Sequence, residues 1–152
     1  MIERRRHKGS QTVEFALALP FFVLILYAVL DFGMLVYNKA IITNASREAA
    51  RAGVILTAAT WSPSAIAQVA CNYAQATLIT VNAGTRTATC SGSADPVISV
   101  NPSSAPSFNT PVSVSISYEV RGFSLGSWWG LGTGTSIGSP ITLTATTQMN
   151  HE

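Results

Sequence analysis

A chain of 152 residues is long enough for one ordinary domain, or for a membrane helix followed by a smaller domain. Its net charge of +2 is unevenly spread: Arg4, Arg5, Arg6 and Lys8, offset by Glu3, leave +3 on the first nine residues and −1 on the remainder, histidines neutral. A body without surplus basic charge excludes a basic nucleic-acid-binding surface, so the cluster reads as a topology signal and no nucleic-acid partner is expected.

From Phe15 to Tyr37 the chain reads FALALPFFVLILYAVLDFGMLVY, 23 positions with a single charge at Asp31. About 20 mostly apolar residues cross a bilayer, so residues 15–37 are expected to be a transmembrane helix with the lipid bilayer as its partner. The Lys/Arg cluster before it predicts a cytoplasmic N-terminus and an extracytoplasmic remainder. A buried core helix would not carry the 16 successive uncharged residues from Phe15 to Leu30. A removable secretory signal is a weaker reading: the apolar stretch exceeds the usual core of about 7–15 residues, and no A-x-A site promptly follows. Glu14, at the head of the run, is costly there and therefore a functional suspect; the plainer reading is an interfacial acid that reaches water. Asp31 falls near the far interface, where solvation is the simplest account.

The helical pattern continues through NKAIITNASREAARAGVILTAA, residues 38–59, so a single helix over residues 10–60 is expected. Pro20 removes one of its backbone hydrogen bonds and is expected to kink it. Ala45, Ala49 and Ala52 form a smooth face for close packing. Arg47, Glu48 and Arg51 are either a solvated face or partner contacts. Ser62 and Pro63 then mark the start of a second helix, Ser62 as N-cap and Pro63 as its first residue, with Ile66, Val69, Ala70 and Tyr73 as its apolar stripe and Cys71 at the edge.

Beyond Asn82-Ala83-Gly84 the period becomes two. Residues 85–91 and 97–100 are short strand candidates, and 111–120 is the clearest strand, with Val112, Val114, Ile116, Tyr118 and Val120 on one face. Residues 141–147 alternate similarly and are its expected antiparallel partner. Residues 101–110 and the Gly-rich 122–140 read as loops. In the latter, Trp128-Trp129 either cover one edge of the sheet's core or offer a contact to another protein, a surface or lipid headgroups.

Two cysteines in an external, oxidising setting suggest one disulfide, Cys71–Cys90, closing a 20-residue segment. The chain-entropy model gives such a closure roughly 3 kcal/mol. His7 and His151 lie at opposite ends of the chain, so these residues supply no four-ligand metal site and no Ser/His/acid or Cys/His set. No enzymatic activity, cofactor or metal is expected. The fold class is α+β: a long N-terminal transmembrane helix continuing into an external domain, 61–152, with a second helix and an antiparallel sheet packed on the helix.

Gly9 followed by Ser10-Gln11-Thr12-Val13-Glu14-Phe15, a basic leader over residues 1–9 and Pro20 within the apolar run together resemble type IV prepilins. Residues 12–33, TVEFALALPFFVLILYAVLDFG, and 45–53, ASREAARAG, resemble more closely the TadE-like pseudopilins of the tight-adherence (Tad) pilus system. The resemblance covers about the first third of the chain. It implies cleavage between Gly9 and Ser10 by a prepilin peptidase, with Glu14 at the fifth mature position setting register in assembly and Phe15 beside it. It further implies a pilin-like helix in the bacterial inner membrane and, as partners, other pilins or pseudopilins and the inner-membrane assembly platform. The role implied is a minor pilin that initiates, primes or caps a pilus used in surface adherence and biofilm formation, with or without entering the filament. Two alternatives stay open: a pseudopilin of another type II secretion or type IV pilus-like system, and an unprocessed single-pass anchor presenting a binding domain.

Overall fold

The computed structural model describes residues 8–57, 59–75, 77–79, 96–120 and 141–151. Among them run α1 (Lys8–Ile55), α2 (Pro63–Gln75), β1 (Val97–Asn101), β2 (Pro111–Val120) and β3 (Ile141–Asn150). By contacts the chain divides into two units, one ending at Gly33 and the other beginning at Met34. The strand candidate at 85–91 and the Gly-rich stretch at 122–140 lie outside the described residues.

α1 has 48 residues and continues through Pro20, which has no N–H to give the Ala16 carbonyl. It stops at Ile55 rather than 60, and a turn follows in which Thr60 N–H donates to the Thr57 carbonyl at 2.9 Å. α2 begins as its sequence dictates. Pro63 is its first residue, and the Ser62 hydroxyl accepts from the Ala65 N–H at 3.3 Å, satisfying one of the orphan amides of the first turn.

The three strands are antiparallel in the order β1-β2-β3. β2 has the expected bounds, and its alternation sets the register: Val112, Val114, Ile116, Tyr118 and Val120 are buried while the residues between them are half-buried. Ile116 lies opposite Ile98 of β1 and Ala145 of β3, so all three strands turn apolar side chains to one side. β3 runs to Asn150, past the expected 147, because β2 offers it partners as far as Pro111.

Against that apolar side pack α2 and the second half of α1. Ile42, Ala45, Ala49 and Ala50 of α1 join Ile66, Ala70 and Ala74 of α2 and Val114, Ile116 and Tyr118 of β2 in one core. Two details of the expected faces are corrected. Ala52 is only half-buried, and Gly53 takes the inward position below Ala49, with Ile66 Cδ1 and Val112 Cγ1 each 3.2 Å from where a Cβ would stand. In α2 the buried residues are Ile66, Ala70, Cys71 and Ala74, whereas Tyr73 is 41% exposed. Alanines one turn apart let this helix approach the core closely, and a Tyr on that line would hold it off.

Polar contacts fix how α1 lies along the sheet. The Lys39 ammonium donates to the Thr144 carbonyl. The Ser46 and Thr147 hydroxyls pair at 2.7 Å, and His151 Nε2 meets the Leu56 carbonyl at 2.8 Å. From Lys39 to Leu56 a helix rises about 26 Å, and from Thr144 to His151 a strand covers about 23 Å. The two lengths match, so β3 runs nearly parallel to this second half of α1 and β2 runs against it.

Candidate functional site: the two halves of the N-terminal helix

The first half of α1 presents large apolar side chains outward. Phe15, Phe21, Phe22 and Phe32 are each about two-thirds exposed, and Leu17, Leu24 and Ile25 are similar. Continuous apolar surface of this extent is rare in water-soluble folds. Residues 11–55 include a stretch long and apolar enough to cross a membrane, none of it buried, and no second helix among the described residues meets that standard. This is one apolar N-terminal helix of the kind a single-pass anchor requires.

Glu14 is exposed at the head of this stretch, directly before Phe15. Its neighbours one turn on, Leu17 and Ala18, are apolar, and no Lys or Arg occurs between Gly9 and Asn38. One turn back, at the i−4 position, stands Ser10. Gly9 and Ser10 both lie in the first turn of α1, where amide groups have no intrahelical acceptor.

The second half of α1 is two-faced. Asn38, Ile42, Ala45, Ser46 and Ala49 are fully buried, whereas Arg47, Glu48 and Arg51 are exposed on the opposite side. The three charged residues therefore form a water-facing strip and take no part in the core.

Three features were not singled out from the sequence. Asn38 uses its whole amide: Nδ2 donates to the Ile79 carbonyl at 2.8 Å and Oδ1 accepts the Ile79 N–H at 3.0 Å, tying α1 to the chain beyond α2. The Tyr118 hydroxyl approaches the same carbonyl at 3.5 Å. At the other end of the domain, His151 packs edge-on to Trp61, ring centroids 6.3 Å apart. A carbonyl only accepts, so Nε2 carries the proton given to Leu56. His151 Nδ1 and Trp61 Nε1 are buried with no hydrogen-bond partner among the described residues. No sequence spacing signals these contacts, because 41 residues separate Asn38 from Ile79 and 95 separate Leu56 from His151.

Cys71 is buried on α2 and is not a free thiol. Its expected partner Cys90, like Trp128 and Trp129, lies outside the described residues. Among the described residues, no group of three or more His, Cys, Asp or Glu side chains is placed to hold a metal ion.

A family model described as "TadE-like protein" matches residues 9–51. The matched stretch opens at Gly9, takes in Glu14, Phe15 and Pro20, and closes at Arg51. Over that part the chain is similar to TadE-like proteins; α2 and the sheet fall outside the match. No curated protein and no solved structure matches the chain.

Proposed function

We propose that this chain is a minor pilin or pseudopilin of the TadE-like kind, a non-enzymatic component that initiates, primes or caps assembly of a Tad-type pilus serving adherence and biofilm formation. The observation that carries the reading is the family match over residues 9–51, which spans both the Gly9–Glu14–Phe15 motif and the Arg47–Arg51 strip. The exposed apolar half of α1 supports it, since a pilin helix must serve first in lipid and then among other helices.

In this reading the basic leader stays in the cytoplasm, the apolar stretch anchors the chain in the inner membrane, and the domain after it lies outside the cytoplasm. A prepilin peptidase cuts between Gly9 and Ser10. Gly9 has no side chain to obstruct the enzyme, and the bond sits in a helical turn whose unpaired amides make local opening inexpensive. Cleavage turns the Ser10 nitrogen into an α-amino cation one turn from Glu14. A carboxylate among apolar helices favours such a cation, from its own chain or a neighbouring subunit, and misregistered neighbours leave it unpaired. Arg47, Glu48 and Arg51 are available to the assembly platform or to other pilins, and Cys71 with Cys90 closes the external domain.

The test is complementation of a strain lacking this chain, scored by surface pili and attachment. Glu14→Ala is expected to leave membrane levels and N-terminal processing unchanged while abolishing both pili and attachment. Full pilus assembly by Glu14→Ala would remove the register role.

A further inference from the structure

We infer that the prepilin peptidase acts on an unwound form of the turn holding the Gly9–Ser10 bond, so that helix propensity at Thr12 and Val13 sets the rate of cleavage. The inference rests on the reading of Gly9–Ser10 as the processed bond and adds what controls access to it.

Residues Lys8 to Val13 are helical, so the bond between Gly9 and Ser10 lies inside α1. In an α-helix each carbonyl accepts the N–H four residues on, which ties the Gly9 carbonyl to the Val13 N–H. In the processing reading that carbonyl is the one attacked. Hydrolysis adds water across the bond: its oxygen goes to the Gly9 carbonyl carbon, the C–N bond breaks, and a Gly9 carboxylate and a Ser10 ammonium are left. On the way the Gly9 oxygen gathers negative charge that donors of the enzyme must meet. A helix surrounds this carbonyl with its own backbone and leaves neither those donors nor the water an approach. The turn therefore has to open before the bond can break.

Two observations make this turn easy to open. Gln11 to Glu14 are all exposed, Val13 to 65%, so packing adds little to its stability and intrinsic propensity governs it. That propensity is low: four of the five residues from Gly9 to Val13 are Gly, Ser, Thr or Val, whereas Ala16 to Leu19 are all Ala or Leu, the strongest helix formers. The family match opens at Gly9, at the head of this weak segment. Where opening and closing outpace cleavage, proteolysis follows the population of the open form. Thr12 and Val13 then matter through the backbone they loosen, and Val13 also carries the N–H that holds the Gly9 carbonyl. Gly9 cannot separate access from recognition, because Ala there both stiffens the turn and obstructs the enzyme.

The test compares Ala with Gly at one position, since both delete the side chain yet stand at opposite ends of the propensity scale. The full chain in membranes is treated with limiting, active prepilin peptidase, and loss of the leader is timed by intact mass. The chains are the unsubstituted one, Val13→Ala, Val13→Gly, Thr12→Ala and Thr12→Gly; both positions are exposed, so the folded domain is untouched. Hydrogen exchange at the residue-13 amide, corrected for its intrinsic rate, is read on the same chains without peptidase. The expected result is cleavage about fivefold faster for Gly than for Ala at each position, with exchange in the same order. Equal cleavage within each pair, or a faster Ala variant, would overturn the inference and leave the processing site standing, with the peptidase reading side chains or taking the helix as it is. Exchange that rises from Ala to Gly without a matching rise in cleavage would overturn it in the same way. An unsubstituted chain that keeps its leader beside a peptidase active on a control prepilin would overturn both this inference and the processing reading.

Discussion

Residues 11–33 and 34–55 belong to one helix, yet only the second stretch fully buries any of its apolar side chains. The first stretch is built from Phe, Leu and Ile, and every large apolar side chain in it is exposed or at most half-buried. In the second, Ala45, Ala49, Ala50 and Gly53 dominate the buried face, and only Ile42 among the fully buried residues is large. Size explains the difference. Small residues let a sheet come within van der Waals distance of the helix backbone, as at Gly53, whereas bulky ones give a helix surface for lipid or for other helices. Two partners of different chemistry are thus written into one helix by residue volume as much as by hydropathy.

The comparison can be broken most sharply at Ile116, fully buried between Ile98 and Ala145. Ile116→Ala is expected to destabilise the folded unit by about 2–5 kcal/mol in denaturant titration, while Phe22→Ala leaves that transition in place. Cys90→Ala follows, with a loss of roughly 3 kcal/mol if it closes a loop with Cys71; non-reducing peptide mapping checks the bond directly. Asn38→Ala strands the Ile79 N–H and leaves its carbonyl only the 3.5 Å Tyr118 hydroxyl, and should cost about 1–3 kcal/mol, with faster hydrogen exchange at the Ile79 amide as its signature. Gly53→Ala has the smallest effect, about 1 kcal/mol, because Ile66 and Val112 must each give by a few tenths of an ångström. The same change at Gly33, which has nothing within 4 Å, should leave the folded unit unaffected.

What could be read in the sequence was what rests on local chemistry. Strict alternation delimited β2, and Ser62-Pro63 marked the start of α2. β3 was foreseen three residues too short because Gln148, Met149 and Asn150 carry little strand signal of their own; β2 supplies their pairing. The stripe of α2 was misjudged at Tyr73, since periodicity rates a Tyr as apolar and is blind to how near the neighbouring layer lies. Asn38 and His151 were out of reach, their partners being distant in the chain. The candidate site divides in the same way. The Gly9–Glu14–Phe15 motif is local and falls within the matched family region, whereas the register role proposed for Glu14 involves groups beyond this single chain's local sequence.

The measurement that bears most directly on this account is the N-terminus of the mature protein. The full chain would be expressed with and without an active prepilin peptidase, then characterised by intact mass and N-terminal sequencing. The account predicts a new terminus at Ser10 that depends on the peptidase and is lost in Gly9→Ala. A chain that keeps its leader beside an active peptidase would contradict it and leave a plain membrane anchor, and cleavage near Ala45 would mean that the apolar stretch is a secretory signal.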